Sequence, residues 1–183
     1  MRRFMLLLLL VVLGTLSIGA EAPSGFAGSP AMLTSVGQSA DVEMIRVLMT
    51  RSRLDFTMDV LVEADELSDE FGTLVIVIGG SSKGLGAAGI SADAEMERAD
   101  ALIDRARDLD MAIIAVHVGG EARRGALSDG FIELGVPASD YVIAVEAGDK
   151  DGLISDLADD AGVPVTLVPR ISGVGSPLAA SFE

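Results

Sequence analysis

Apolar residues along the chain follow two alternating patterns, one typical of buried strands and the other of amphipathic helices. The apolar runs predict strands over residues 31–36, 54–62, 73–79, 111–118, 140–146 and 164–169. Apolar residues at helical spacing predict helices over residues 39–51, 64–71, 92–109, 125–135 and 151–162. The run at 73–79 is apolar nearly throughout, which is typical of a central strand that is covered on both faces, and 111–118 is expected to be another central strand.

Strands that alternate with helices predict an α/β fold with a mostly parallel sheet and helices on both faces. We therefore expect a single three-layer, doubly wound domain over residues 31–183, with five to six strands. Two strand orders are common in such folds, 3-2-1-4-5-6 and the flavodoxin-like 2-1-3-4-5. We favour the flavodoxin-like order, because only that order makes neighbours of strands one, three and four, which are followed by the three most unusual loops.

The N-terminus has the pattern of a secretory signal peptide over residues 1–20, with Arg2 and Arg3 ahead of an apolar run and small residues. Cleavage after Ala20 fits this pattern best, cleavage after Ala22 also fits, and an uncleaved anchor is the alternative. Residues 21–30 are rich in small residues and proline, and they predict a flexible linker. The chain has no cysteine, so we expect an exported domain, periplasmic or extracellular, with neither a lipidated cysteine nor a disulfide.

The chain is strongly acidic, with a formal net charge of −15. A surface of this kind repels nucleic-acid phosphates and anionic lipids, which argues against a nucleic-acid partner. Solubility after export and adaptation to a saline habitat would both favour such a composition.

Three loops carry the residues that could bind a ligand, at 36–41, 79–90 and 117–125. Because parallel strands all end at the same edge of the sheet, we expect these loops to lie side by side, with Gln38, Ser82, Lys83 and an arginine facing a common pocket. The predicted ligand-binding residues are Gln38, Ser39, Gly80, Ser81, Ser82, Lys83, Gly84, Gly86, His117, Gly119, Gly120, Arg123 and Arg124.

The glycine-rich segment 79–90 indicates an anion or another polar ligand. Its glycines expose backbone N–H groups, and Lys83 adds a positive charge. No acidic residue occurs between Gly72 and Asp93, although the chain as a whole is acidic. In the other two loops, Gln38 could hydrogen-bond a ligand, and Arg123 or Arg124 could bind a carboxylate or phosphate. His117, the only histidine, lies near the end of a buried strand, where a lone histidine is more often a hydrogen-bonded core residue than a ligand or base.

Two known motifs overlap this segment. The string "VIVIGGSSKGLGAAG" is similar to the cofactor loop of the short-chain dehydrogenases. That family places the loop after its first strand, whereas here it follows the third. The family also requires a Tyr-x-x-x-Lys, but the residue four positions after Tyr141, the only tyrosine, is Val145. Gly80 to Gly84 also fit G-x-S-x-G, the hydrolase nucleophile turn, with Ser82 as nucleophile and His117 as base. The nucleophile turn should lead directly into a helix, but here the segment "LGAAGIS" is expected to separate the turn from the next helix. No cofactor and no metal is predicted.

Four strings together, "LTSVGQSADVEM", "GGSSKGLGAAGI", "HVGGEARRG" and "GDKDGL", after a signal peptide, resemble an uncharacterised secreted bacterial family catalogued as domain of unknown function 6305. The resemblance covers nearly all of the chain beyond the leader. It implies export and one α/β domain, and it assigns no activity and no catalytic residue.

The sequence therefore predicts an exported domain that binds a small anionic or polar metabolite at the C-terminal edge of its sheet without catalysing a reaction. Two alternatives stay open. One is a hydrolase that uses the G-x-S-x-G serine, and the other is a protein–protein accessory module of a membrane transporter or sensor.

Overall fold

The computed structural model describes residues 23–183, so the predicted signal peptide and residues 21–22 lie outside the described part of the chain. The strands are β1 (Ala31–Val36), β2 (Phe56–Met58), β3 (Thr73–Ile78), β4 (Ala112–His117), β5 (Tyr141–Val145) and β6 (Val165–Val168). The helices are α1 (Asp41–Arg51), α2 (Ser82–Ala88), α3 (Ala92–Asp108), α4 (Ala126–Gly135), α5 (Leu153–Ala161) and α6 (Gly175–Ala180). Single 3-10 turns occur at Ala64–Glu66, Gly120–Arg123, Glu146–Gly148 and Ile171–Gly173.

The six strands form one parallel sheet in the order β2-β1-β3-β4-β5-β6. The predicted α/β class and flavodoxin-like order are thereby confirmed, and β6 extends the sheet beyond β5. The chain reverses its direction of travel across the sheet between β1 and β3. Ligands of open α/β sheets bind outside the carboxyl ends of the strands at such a switch point.

Helices cover both faces of the sheet, which gives the predicted three layers. One face carries α1 and α6, and the other carries α3, α4 and α5. Residues of β3 are buried along its whole length because the strand is covered on both sides. Its alternate side chains therefore divide between the two cores, with Val75 and Val77 under α1 and Leu74, Ile76 and Ile78 under the opposite helices.

The glycine-rich segment is a helix and not an extended loop. Ser81 caps α2 by accepting a hydrogen bond from the Gly84 N–H (3.1 Å). Gly89 ends the helix in the left-handed conformation, at φ 73°. The expectation that "LGAAGIS" separates the turn from any helix is therefore wrong, since α2 begins at Ser82 itself.

Three other elements differ from the sequence prediction. The second strand is confined to Phe56–Met58, because the Asp59 carboxylate accepts a hydrogen bond from the Leu61 N–H (2.9 Å) and turns the chain. The acidic segment 64–71 forms only a 3-10 turn, after which Leu67 is extended and buried. The Gly/Pro-rich C-terminus forms α6, which was not predicted.

Residues 25–30 pack against the domain, contrary to the predicted flexible linker. Backbone hydrogen bonds join the Gly25 N–H to the Ala180 carbonyl (3.0 Å) and the Ala27 N–H to the Ser181 carbonyl (2.8 Å). Phe26 lies edge-on to the ring of Tyr141, with centroids 6.2 Å apart. This segment therefore fixes the C-terminal residues to the core. Within residues 23–183, no helix has both the length and the apolar character that a membrane crossing requires.

Candidate functional site

The loops after β1, β3 and β4 meet at the C-terminal edge of the sheet. Gln38 pairs with Gly80 in an isolated antiparallel bridge, and the Ser81 N–H donates to the Gly37 carbonyl (2.8 Å). The loop after β4 reaches the start of α1, where Arg123 Nε lies 3.4 Å from Asp41 Oδ2. The juxtaposition that the strand order requires is therefore present.

Gln38 has a structural duty that its sequence context does not reveal. The residue is in the left-handed region, at φ 57°, and its side chain is nearly buried. Its amide nitrogen donates to the Val60 carbonyl (2.9 Å) and to Glu95 Oε1 (3.1 Å). Its Oε1 accepts no hydrogen bond from the described residues, so this oxygen is the part of Gln38 that a ligand could use.

Beneath Gln38 lies an ion pair between Glu95 and Arg98 of α3. Glu95 is 0% exposed and Arg98 is 7% exposed. Arg98 donates to both carboxylate oxygens of Glu95, from Nε (2.8 Å) and Nη2 (2.9 Å). This two-point geometry compensates part of the cost of removing both charges from water.

The same pair fixes the chain around it. Arg98 also donates to the Ser35 carbonyl (2.6 Å) and the Val62 carbonyl (2.8 Å), and Glu95 Oε1 accepts from the Gly37 N–H (2.8 Å). The end of β1 and the segment after β2 are thus both held to α3. The sequence prediction missed this pair, although Glu95 and Arg98 occur in helical register with the apolar stripe that contains Ala99 and Leu102.

The three predicted serines lie in different environments. Ser39 is buried, and its Oγ accepts from the Asp41 N–H (3.1 Å). Ser81 is the cap of α2. Ser82 and Lys83 are exposed in the first turn of α2, and neither side chain makes a hydrogen bond or ion pair within residues 23–183.

Two of the predicted glycines are required by packing. A Cβ on Gly84 would overlap the carbonyl oxygen of Gln38, and one on Gly80 would lie 2.7 Å from Leu127. Gly80 also donates its N–H to Ser128 Oγ (2.9 Å). Gly86 faces open space.

The two glycines after β4 have different surroundings. A Cβ on Gly119 would overlap the side chain of Arg123 and lie 2.6 Å from Asp41 Oδ2, and Gly120 has φ 55°. Gly119 therefore lies beside an ion pair that already exists, whereas a Cβ on Gly120 would contact Ala147.

His117 is a core residue at the end of β4. Its side chain is 1% exposed, and Nδ1 lies 3.0 Å from the Ile78 carbonyl oxygen. Nε2 is buried with no hydrogen-bond partner among the described residues. Burial lowers the pKa of His117 below its ordinary value, so the neutral imidazole is the stable form in the folded protein. In the folded domain His117 is therefore a buried core residue that is hydrogen-bonded to the backbone.

Both arginines are paired with aspartates. Arg124 donates to both oxygens of Asp151 (2.8 and 2.9 Å) and from Nε to Asp129 (2.8 Å). These hydrogen bonds raise the pKa of Arg124 and lower the pKa of Asp151 to about 2. Arg123 is beside Asp41. Neither guanidinium is therefore directed at a cavity shared with Gln38.

A cavity of about 320 Å³ opens beside the switch point. Gln38, Ser39 and Gly84 line it, while Ser82, Lys83, Arg123 and Arg124 do not, so the predicted common pocket has a different composition from the one expected. Its other walls are mainly apolar or small: Ser35, Ala40, Val42, Glu43, Val60, Leu61, Ala87 and Ala88.

A larger cavity of about 590 Å³ lies at the opposite edge of the sheet. Phe26, Gly72, Arg107 and Asp140 are among its lining residues. We assign it no role, because ligands of parallel α/β sheets bind at the carboxyl ends of the strands.

The four strings that carry the family resemblance lie where β1, β3, β4 and β5 end, at the C-terminal edge of the sheet. A family model described as Domain of unknown function (DUF6305) matches residues 28–182. The chain belongs to this family. The resemblance inferred from the four strings is confirmed. No curated protein matches the chain. Membership of DUF6305 assigns no activity, so the function of this member has to be argued from its geometry.

We expect the substitution Arg98→Met to lower the free energy of unfolding by about 3–5 kcal/mol, because it leaves the buried Glu95 carboxylate without a counter-charge. The double variant Glu95→Gln/Arg98→Met should recover part of this loss. Denaturant unfolding of the four members of this mutant cycle measures the coupling.

The exposed pair Arg46–Glu43 (2.7 Å) provides the matched control, and Arg46→Met should cost less than about 1 kcal/mol. Equal losses for Arg98→Met and Arg46→Met would contradict the role assigned to the buried pair.

We also expect the free energy of unfolding to fall as the pH drops below about 6.5, the pKa of histidine in an unfolded chain. The folded state lowers the pKa of His117, so protons bind the unfolded state first, and the stability is complete only above that pH. Urea unfolding at pH 5.5, 6.5 and 7.5 tests this expectation. The variant His117→Gln, which keeps a donor for the Ile78 carbonyl, should flatten the dependence, and an unchanged slope would refute the assignment to the only histidine.

Proposed function

We propose that this DUF6305 member is an exported binding domain that holds a small polar ligand in the switch-point cavity. The observation that carries the proposal is the cavity itself, which lies at the carboxyl ends of the strands and includes three of the residues named from sequence, Gln38, Ser39 and Gly84. Its volume of about 320 Å³ is at the lower end of the range for small-molecule sites. Export rests on the pattern of residues 1–20.

The lining favours a ligand with an apolar body and a hydrogen-bond donor. Val42, Val60 and Leu61 supply apolar surface, and Gln38, whose Oε1 accepts no hydrogen bond from the described residues, supplies an acceptor. No cation lines this cavity. A neutral polar ligand therefore fits it better than the anion that the glycine-rich segment suggests on sequence grounds.

A fixed framework supports binding rather than turnover. The Glu95–Arg98 pair holds Gln38 and the segment after β2 in position, so the cavity needs little rearrangement when it is occupied. Pre-organisation of this kind reduces the entropic cost of binding.

The test is a thermal-shift and calorimetric screen of small alcohols, amides, amines and carboxylates against the purified protein. We expect at least one class to raise the melting temperature. Ala88→Phe, which places a ring in the cavity, should abolish the shift. Ala101→Phe, on the exposed side of α3, is the matched control and should leave it unchanged. A shift that survives Ala88→Phe, or no shift with any compound, would refute the proposal.

Hydrolase chemistry is the second candidate, since α2 begins at Ser82 directly after a glycine turn, as the nucleophile motif requires. His117 opposes it, because its Nδ1 is bonded to the Ile78 carbonyl and its ring is buried, without a hydrogen bond to Ser82. A nucleophilic serine needs a base within hydrogen-bond reach.

We therefore expect a fluorophosphonate probe to leave the protein unlabelled at pH 7 to 8. Mass spectrometry of the intact protein measures the adduct. Labelling that disappears in Ser82→Ala and persists in Ser91→Ala, a serine that caps α3, would establish the hydrolase instead.

A further inference from the structure

The strand β6 presents an open backbone edge. The Val142 N–H donates to the Pro164 carbonyl (3.0 Å), so in this parallel ladder Pro164, Thr166 and Val168 direct their polar groups toward β5. Val165 and Leu167 direct theirs away from the sheet. Within residues 23–183, no backbone group outside the ladder bonds to either of them. An edge of this kind is a template for another strand.

The side chains along this edge lie on the face that carries α5. Val165 packs against the core on that side, and Leu167, two residues later, points to the same face. Leu167 is 39% exposed, an unusual exposure for a large apolar side chain in this protein. A further strand paired with β6 would cover it.

Carboxylates line the start of the same edge. A cavity of about 380 Å³ lies between α5 and β6, and Asp156 and Asp159 line it together with Val163, Pro164 and Val165. Neither aspartate forms an ion pair within the described residues. In this cavity a cation would meet two carboxylates beside an apolar strand.

We propose that β6 accepts an extended, basic segment of a partner protein as a seventh strand. The backbone groups of Val165 and Leu167 would supply hydrogen bonds, a lysine or arginine side chain would enter the cavity at Asp156 and Asp159, and an apolar side chain would cover Leu167. Strand addition of this kind takes its affinity from the main chain and its specificity from pockets for alternate side chains.

A second copy of this chain fits the edge less well. Two β6 strands paired antiparallel about a two-fold axis would place both α5 helices on the same side of the joined sheet. Asp156, Asp159 and Asp160 of each copy would then face like charges. The charge of this edge selects a basic partner.

The test uses the purified protein labelled with ¹⁵N and, as the probe, an eight-residue peptide in which lysine and valine alternate along one face and threonine fills the other face, because successive side chains of a strand point to opposite faces. We expect saturable binding, with the largest amide shifts at Val165 and Leu167. The same peptide with alternate backbone nitrogens methylated keeps its charge and cannot pair, and it should bind at least about tenfold more weakly. The same peptide with glutamate in place of each lysine should not bind.

Matched charge variants separate the edge from the general acidity of the protein. Asp156→Asn/Asp159→Asn should weaken binding by about tenfold. Asp100→Asn/Asp108→Asn, which removes two exposed carboxylates from α3 instead, should change it by less than about twofold.

Any of four results would overturn the proposal. These are equal losses of affinity in the two double variants, full affinity of the methylated peptide, amide shifts confined to residues outside β6 and α5, and no binding. Sedimentation that shows a dimer abolished by Leu167→Asp would also overturn it, in favour of self-association. None of these outcomes depends on the switch-point cavity, so the proposed ligand-binding function is tested separately.

Discussion

The buried ion pair between Glu95 and Arg98 is the constraint on which the C-terminal edge of this sheet depends. Two charges are removed from water inside a helix face that is otherwise apolar, and such a pair is tolerated only when the remaining donors and acceptors are also satisfied. Here they are satisfied by backbone groups at the end of β1, directly after β1 and after β2. The ion pair therefore does more than join two side chains of α3, because it determines where two loops lie.

Gln38 shows how this constraint reaches the surface. A non-glycine residue in the left-handed region carries a conformational cost, which the surrounding contacts have to offset. The Gln38 amide nitrogen bonds to Glu95, and the missing Cβ of Gly84 leaves room for the Gln38 carbonyl. The loop after β1 is thus fixed between α3 beneath it and α2 beside it.

The fold could be predicted from the sequence because a parallel sheet covered on both faces requires nearly continuous apolar strands, and runs such as 73–79 have that pattern. The elements that were missed are short and rich in glycine or proline. In α2 the Ser81 cap and the left-handed Gly89 define the helix, although glycine has a low intrinsic helix propensity. At α6 the burial of Leu178, and of Val174 directly before the helix, stabilises a segment whose composition is typical of a turn.

The candidate site was predictable in its position but not in its side-chain directions. The strand order brings the three loops together, whereas the partners of Arg123 and Arg124 depend on tertiary contacts to Asp41, Asp129 and Asp151. In a chain with 28 acidic and 13 basic residues, an arginine readily meets a carboxylate of the same molecule. The sequence likewise suggests ligand contacts at Gly80 and Gly84, whereas the structure requires glycine there for close packing.

The contact between Gly25 and the C-terminal residues has a consequence for how the domain can be presented. A Cβ on Gly25 would lie 2.5 Å from the carbonyl oxygen of Glu183, so both ends of the described chain emerge at nearly the same point. That point lies where β1 begins, on the side of the sheet away from the strand ends that carry the cavity. Attachment through either end would therefore leave the cavity on the far side of the domain from the attachment, and a circular permutant that joins the two ends would need only a short connecting peptide.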